Sequence, residues 1–302
     1  VNLLLVLLLK KAGINAYPVI LSTRANGFAN AEYPLLNQYN YVVCKVENDN
    51  KGYFLDASRK MMGFNKLPSF CYNGYGAVID FNFGAEPLFA DTLLEKKITS
   101  VMLLTDPKDK KRWLGSIGSY FGYYESLNAK EEIQEKGKST YEKKLTDSYT
   151  GDYSAESVEL KNLDDNDKNL SVSYTLAINK PEENIIYFNP FIKEGLKENY
   201  FKSTDREYPV ELPYKMDETY NLHLEIPDGY VVDEMPKSTR VSLNENDGMF
   251  EYIIVKEEKE ILLKSSIRIN KTVFMTDEYE DLRGFFDYIV KKHAEQIVFK
   301  KK

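Results

Sequence analysis

Cysteine, histidine and tryptophan are scarce in this chain, at two, two and one in 302 residues. Cys44 and Cys71 can pair, but two cysteines do not make a disulfide scaffold, and two buried free thiols are the expectation. With only two histidines beside them, a His/Cys zinc cluster is not expected, nor is any other metal or a cofactor. A long apolar run is also missing. The longest, residues 3–9 with Val1 ahead of it, falls far short of the ~20 residues that span a bilayer, so no direct membrane insertion is expected. That run lacks a basic flank and a small-residue cleavage site, so it does not read as a signal peptide. The chain starts with Val1 inside a helical pattern, which predicts a fragment or processed chain with any export signal upstream. An excess of positive charge is lacking too: 40 basic against 47 acidic residues gives a net charge of −7, without the basic footprint of a nucleic-acid binder.

What is present is a core-forming composition, 43% hydrophobic and 29% charged, long enough for two or three domains. Residues 2–12 (NLLLVLLLKKA) are apolar nearly all round, which predicts a buried helix. Lys10 and Lys11 suit its C-terminal dipole, and Gly13 is a natural stop. Residues 16–22 read as a strand, which Pro18 assigns to a sheet edge or to its own start. A loop over 23–38 precedes a strand over 39–47, a turn over 48–52 and a returning strand over 53–56. Helix followed by strand meander indicates an α+β domain. Residues 57–97 read mostly as loop, with Gly74 and Gly76 in a turn that lacks the third glycine of a nucleotide fingerprint.

The texture then changes. A strand is expected over 98–104 and a charged, solvated helix over about 128–147, interrupted at Gly137. Clear two-residue alternation marks 170–176, 220–226, 250–255 and 261–269, with turn signals between them at 164–166, 227–229 and 246–248. Short strands at this spacing predict an antiparallel β-sandwich. The chain is expected to end in a helix over 277–295, capped by Thr276 or Asp277 with Glu280. Its apolar stripe runs from Tyr279 through Leu282, Phe286, Ile289 and Val290 to His293, and Glu280, Asp281, Lys291 and Lys292 face solvent. The division is therefore 1–92 and 93–302.

Several stretches together resemble bacterial transglutaminase-like proteins. Residues 2–16, a leucine-rich helix running into Ala12-Gly13-Ile14, resemble the core helix and turn of that family. Residues 22–24 and 39–43 follow at the family's distance. Gly52-Tyr53-Phe54-Leu55-Asp56-Ala57-Ser58 resembles the strand that supplies the acid of its Cys-His-Asp triad. Residues 201–212 and 226–230 resemble a C-terminal β domain of unknown function found after such domains. The resemblance implies a partial papain-like α+β domain followed by a β-sandwich, in a bacterial, periplasmic or otherwise extracytoplasmic protein of the cell envelope. In that chemistry a thiolate forms at a helix N-terminus, His takes its proton and Asp orients the His. Alignment on Ala12-Gly13-Ile14 puts the cysteine about three residues before Val1. The His position, fifteen before Asp56, is Tyr41. A protonated phenol cannot replace imidazole as base, nor can Asn40 on the other strand face.

Only Asp56 matches the triad, so the implied reading is a non-catalytic protein with a binding or scaffolding role, taking a protein, peptide or glycan. The rival is a fragment of a Cys-dependent transglutaminase-like protease or acyltransferase. A small-molecule hydrolase with an unrelated triad has no motif behind it. The remaining candidates have ordinary structural roles as the expectation. These are Asp56 as a turn cap, His223 on the polar face of its strand, His293 as a packing residue with one satisfied nitrogen, and Cys44 facing away from Tyr41. The aromatic clusters at 72–75 and 120–124 can stack on sugar or peptide but are expected mainly in cores. The acidic loop 164–167 lacks the spacing of a calcium site.

Overall fold

The computed structural model describes every residue except 31, 34, 50, 81–83 and 182. The protein is α+β and mostly sheet. The chain divides into two compact units, Val1–Leu94 with Asn162–Asn169 and Leu212–Lys215, and Glu95–Lys161 with Leu170–Glu211 and Met216–Lys302. The main junction thus falls at Leu94–Glu95, beside the 92/93 division read from the sequence. Two short returns of the chain join the first unit. One of them is the acidic loop, where Asp167 accepts from the Phe64 N–H and the Asn166 amide donates to the Lys60 carbonyl.

The first unit opens with helix α1 (Asn2–Lys11). Gly13, at φ +80°, lets the chain turn back so that its N–H meets the Lys10 carbonyl and the Ile14 N–H meets that of Leu9. Two of the helix's orphan carbonyls are thereby satisfied. The expectation of a buried helix is corrected. Asn2 and Val6 are buried, whereas Leu3, Leu4, Leu7 and Leu8 are 56–64% exposed. A helix laid on one sheet covers a single stripe, and residues 2 and 6, one turn apart, supply it.

The sheet under α1 comprises β1 (Asn15–Leu21), β2 (Tyr41–Asn48), β3 (Lys51–Leu55), β4 (Gly74–Val78) and β5 (Ala85–Leu88), in the order β3-β2-β1-β4-β5. The β2–β3 hairpin is as expected. Two expectations fail here. Pro18 is not on an edge strand, because β1 is the central strand. Its ladder to β4 begins only at Val19, so the missing Pro18 N–H interrupts nothing, and the Pro18 carbonyl still accepts from Ile79. Residues 57–97 are mostly loop, as expected, but the Gly74–Gly76 turn is instead strand β4, and β5 follows it. Gly76 is a strand residue, and a Cβ there would come within 2.6 Å of Val19 Cγ1. Cys44 joins Val6 and Ala16 beneath α1, while Cys71 joins Val19, Leu21, Val43 and Leu67 on the other face. Both are buried free thiols.

The second unit is built on an eight-stranded sheet. Its strands are β6 (Leu94–Thr105), β7 (Arg112–Tyr120), β8 (Tyr153–Lys161), β9 (Ser171–Asn179), β12 (Lys215–Glu225), β14 (Thr239–Leu243), β15 (Gly248–Lys256) and β16 (Glu260–Ile269), in the order β14-β15-β16-β12-β6-β7-β9-β8. A second sheet places β18 (Ile297–Lys301) between β10 (Ile185–Phe188) and β13 (Tyr230–Glu234), and β11 (Val210–Glu211) pairs with β17 (Val273–Phe274). Alternation along the large sheet sends Ile117, Leu176, Leu222, Phe250 and Leu263 to one buried face. On that face Trp113 lies 5.1 Å from Phe188 and 6.2 Å from Phe299, so the two sheets pack against each other there.

Helices cover the rest of this unit. The charged segment is two helices rather than one solvated one, α2 (Tyr123–Lys136) and α3 (Lys138–Asp147), broken at Gly137 with φ +89°. Leu127, Lys130, Ile133 and Tyr141 are buried. The N-terminus of α2 is capped from another element: the Glu95 carboxylate on β6 accepts from the N–H groups of Tyr124 and Glu125. The last helix, α4 (Tyr279–His293), buries the expected stripe except Val290, which is half-buried, and adds Phe285 to it. Its approach is closed by Glu278 rather than Glu280, with the Glu278 carboxylate accepting from the Met275 N–H. Lys292, expected in solvent, is buried with its ammonium over the Tyr252 ring and against Glu295. The chain does not end in this helix, because β18 follows. Among the described residues no helix is long and apolar enough to cross a membrane.

Candidate functional site

Asp56 follows β3 and Tyr41 opens β2, so pairing of those strands carries both to one end of the first sheet. The Tyr41 hydroxyl donates to Asp56 Oδ2 at 2.7 Å. Ser58 turns back on the same carboxylate, its N–H at 2.9 Å and its hydroxyl at 2.6 Å from Oδ1. Asn2 enters from α1. Its amide donates to Asp56 Oδ1 and to the Val42 carbonyl, both at 2.8 Å, and its oxygen accepts from Ala57 N–H at 2.8 Å. One Asn side chain therefore ties the first turn of the helix to both strands of the hairpin. Phe70 stacks edge-on against the Tyr41 ring at 5.5 Å.

The electrostatics follow from these contacts. Burial works to raise the Asp56 pKa, but the donors Asn2, Ser58 and Tyr41 together outweigh it and hold the carboxyl below its ordinary value. Tyr41 is pushed up to about 12, first by burial and then by the adjacent Asp56 charge, with Ser58 opposing. Burial also pushes the thiols of Cys44 and Cys71 upward, and the Asp56 charge adds to the effect at Cys71. The site therefore holds an ionised acid and a neutral phenol, with the protonated Cys71 thiol on the same face. It can orient and tie: the Tyr41 phenol is protonated, and the Asp56 carboxylate is engaged by its own donors.

The resemblance singles out Tyr41 and Asp56, which are hydrogen-bonded here; it does not point to Asn2, because an Asn in the first turn of a helix carries no distinctive signal. Cys44 and Tyr41 do face opposite sides of β2, as the strand period requires. The two histidines are far from this cluster in the chain, and both belong to the second unit. His223 lies on the outer face of the large sheet with Nε2 2.7 Å from a Glu260 carboxylate oxygen. His293 is buried on the inner face, and the expectation of one satisfied nitrogen is corrected to two. Nδ1 accepts from the Leu196 N–H at 3.0 Å, and Nε2 meets Ser265 Oγ at 3.2 Å. Burial pushes its pKa down to about 4, so the ring is neutral. Of the aromatic clusters, Phe121 and Tyr124 are core residues, and Tyr75 shares a hydroxyl contact of 2.7 Å with Tyr39. The acidic loop is held internally by an Asp165–Lys168 pair at 2.9 Å. A groove of about 540 Å³ on the outer face of the large sheet passes Met102, His223, Ile253 and Leu262.

Comparison with known proteins adds two findings. Residues 184–299 match the family model described as a domain of unknown function with solved structure, DUF3858. Among solved structures, the chain is similar to one described as a "putative protease" from Parabacteroides distasonis, with a TM-score of 0.50 and 13% identity. That match covers 99% of this chain and 43% of the other, so the chain spans less than half the length of that protein. The likeness is one of fold. The comparison with curated proteins found no match.

Proposed function

We propose that residues 1–92 are a partial transglutaminase-like, papain-like α+β domain with a degenerate triad. We propose further that the β-rich remainder is a sandwich domain, and that the protein acts without catalysis as a binding or scaffolding component of the bacterial cell envelope, outside the cytoplasm. The observation that carries this reading is the Tyr41–Asp56 hydrogen bond. The acid grips the residue at the family's His position as it would grip an imidazole, but the residue is a phenol whose raised pKa denies it the role of base. The contact then serves stability, and its partner is sought among proteins, peptides and glycans.

The rival reading, part of a Cys-dependent protease or acyltransferase, draws on the fold likeness to the structure described as a protease. One experiment separates them. The full-length protein is assayed for peptide hydrolysis and amine incorporation, beside variants with each cysteine replaced by serine. The proposal expects no turnover. Turnover that disappears with any one cysteine overturns it.

A further inference from the structure

The small sheet meets the inner face of the large one at Trp113, α2 and α3 share a cavity there with Val172 and Tyr174, and α4 sends His293 to Ser265. Among the described residues of the second unit, none of these elements covers the outer face. That face nonetheless carries an apolar band. Met102 and Leu104 on β6, Leu262 on β16, and Ile253 and Val255 on β15 stand there 38–48% exposed. The solvated face of an antiparallel sheet is ordinarily polar, and apolar side chains grouped in this way mark an interaction surface. The groove of about 540 Å³ passes through the band.

The groove carries opposite charges at its two ends. Lys264 stands opposite Ile253 in the β15–β16 ladder, and Glu257 follows the end of β15, four residues beyond Ile253. At the rise of a strand the two lie roughly 13 Å apart along the sheet, too far to pair within one chain. Neither side chain has an ion-pair partner among the described residues, whereas neighbouring charges on this face are matched, Arg240 with Glu251, Arg268 with Asp217 and His223 with Glu260. Midway between Lys264 and Glu257, Val255 and Leu262 stand directly opposite each other. A small anion at Lys264 would leave Glu257 unmet. A second copy of the chain answers both ends. A two-fold axis lying in the face, across the strands through Val255 and Leu262, brings Lys264 to the partner's Glu257, and symmetry forms the same pair again on the other side of an apolar centre. The size is sufficient. The adjacent strands β15-β16-β12-β6-β7, spaced about 4.8 Å apart and about nine residues long, give a face of roughly 600 Å², so two copies bury about 1,200 Å², within the range of specific interfaces.

We propose that the outer face of the large sheet is the interface of a two-fold homodimer, with Val255 and Leu262 at its centre and Lys264 and Glu257 paired across it. The inference goes beyond the proposed function and does not depend on the Tyr41–Asp56 cluster. The residues that carry it, Ile253 to Lys264, all lie in the segment matched by the family model.

Sedimentation velocity on the intact protein, from nanomolar to high micromolar concentration, tests it. A species of twice the chain mass is expected to grow in with concentration. Val255→Glu, which sets like charges against each other at the axis, should raise the dissociation constant at least tenfold. Lys264→Glu and Glu257→Lys should each raise it severalfold, and the two together should restore the parent value, because the exchanged charges still meet across the axis. All three residues are exposed, so each variant should melt with the parent, and loss of the dimer is not confused with loss of fold. Leu4→Gln with Leu8→Gln, on the exposed side of α1, should leave the dimer unchanged. A protein that stays monomeric throughout, a double charge variant no tighter than the single ones, or a dimer lost on changing Leu4 and Leu8 overturns the proposal. So does a monomer that binds octanoate in titration calorimetry and loses it with Lys264→Gln, which gives the groove to a small amphiphile instead.

Discussion

Tyr41 donates its hydroxyl to Asp56 across 2.7 Å, joining the start of one hairpin strand to the end of its partner. The bond is one of several on a carboxylate that also takes donors from α1 and from the turn after β3. Removing the donor and removing the acceptor should therefore differ in cost. Tyr41→Phe deletes the bond to Asp56 and the 2.7 Å hydroxyl contact with Ser58, and should destabilise by about 1–2 kcal/mol. Asp56→Ala strands the Asn2 amide, the Ser58 N–H and the Tyr41 hydroxyl together, and should cost about 3–5 kcal/mol. Urea unfolding of the two variants checks the order, and equal costs would mean that Asp56 does not organise the cluster.

The same carboxylate predicts an acid dependence. Its folded pKa lies below the ordinary value. The unfolded chain therefore binds this proton first as pH falls. The stability that Asp56 contributes is whole above the unfolded value of about 3.9 and is lost as pH drops through the folded one. Asp56→Asn should flatten that part of the stability profile below about pH 4 and leave its shape above pH 5 unaltered. A difference between parent and variant that grows with rising pH above 5 would contradict the assignment.

His293 acts in a higher window, with the same sign. Burial holds its folded pKa down to about 4, while the unfolded imidazole titrates near ~6.5. Between these values the unfolded state carries the extra proton, so stability rises with pH across that interval, by an amount on the order of 3 kcal/mol. In His293→Leu this rise should vanish; the variant is less stable than the parent near pH 7, where the Leu196 N–H loses its acceptor, and the gap narrows as pH falls. Chemical denaturation at pH 4.5, 5.5 and 7 is sufficient to see it.

How much of this could be read from the sequence depended on whether a residue's role is local. Strands β9, β12, β15 and β16 declare themselves by alternation, because one face of their sheet is buried and the other is not. Strand β4 did not, since its glycines look like a turn until Val19 is found pressing on Gly76. Strand β18 follows a helix after a short link and has only Ile297, Val298 and Phe299 to mark it. Pro18 misled because the rule against proline in central strands concerns a lost ladder bond, and the ladder on that side starts one residue later. At the candidate site, Tyr41 and Asp56 are singled out through the resemblance to the transglutaminase-like triad positions. Ser58 meets Asp56 within a local turn, as the expected cap does, whereas Asn2 depends on contacts between distant parts of the chain, which no local pattern carries.

Gly115 gives a test of the large sheet. It sits in β7 opposite Leu103, and a Cβ there would fall within 1.7 Å of the Met102 carbonyl oxygen. Backbone cannot yield as a flexible side chain does, so Gly115→Ala should cost at least the ~1–3 kcal/mol of ordinary overpacking. Gly118→Ala, three residues along the same strand with its nearest neighbour at 4.0 Å, should be tolerated. Similar melting temperatures for the two variants would show that β6 and β7 do not pair as described.

The last prediction concerns α1, where a leucine-rich composition concealed which side is packed. Every turn of residues 3–9 offers an apolar side chain, so no stripe stands out from the pattern alone. The structure selects the line through Asn2 and Val6, which meets Ala16 and Cys44, and leaves Leu4 and Leu8 at 59% and 56% exposure. Stability should follow that line. Val6→Ala removes methyl groups from a closed cluster and should cost roughly 1.5–3 kcal/mol. Leu4→Gln with Leu8→Gln changes two exposed side chains for residues of similar helix propensity, and each should stay within about 0.5 kcal/mol of the parent. Asn2→Ala should resemble Val6→Ala rather than the leucine variants, because it frees the Ala57 N–H and takes a donor from Asp56. If instead the paired glutamine variant loses as much stability as Val6→Ala, the leucine face is covered in the working protein, and the single-stripe account of this helix is wrong.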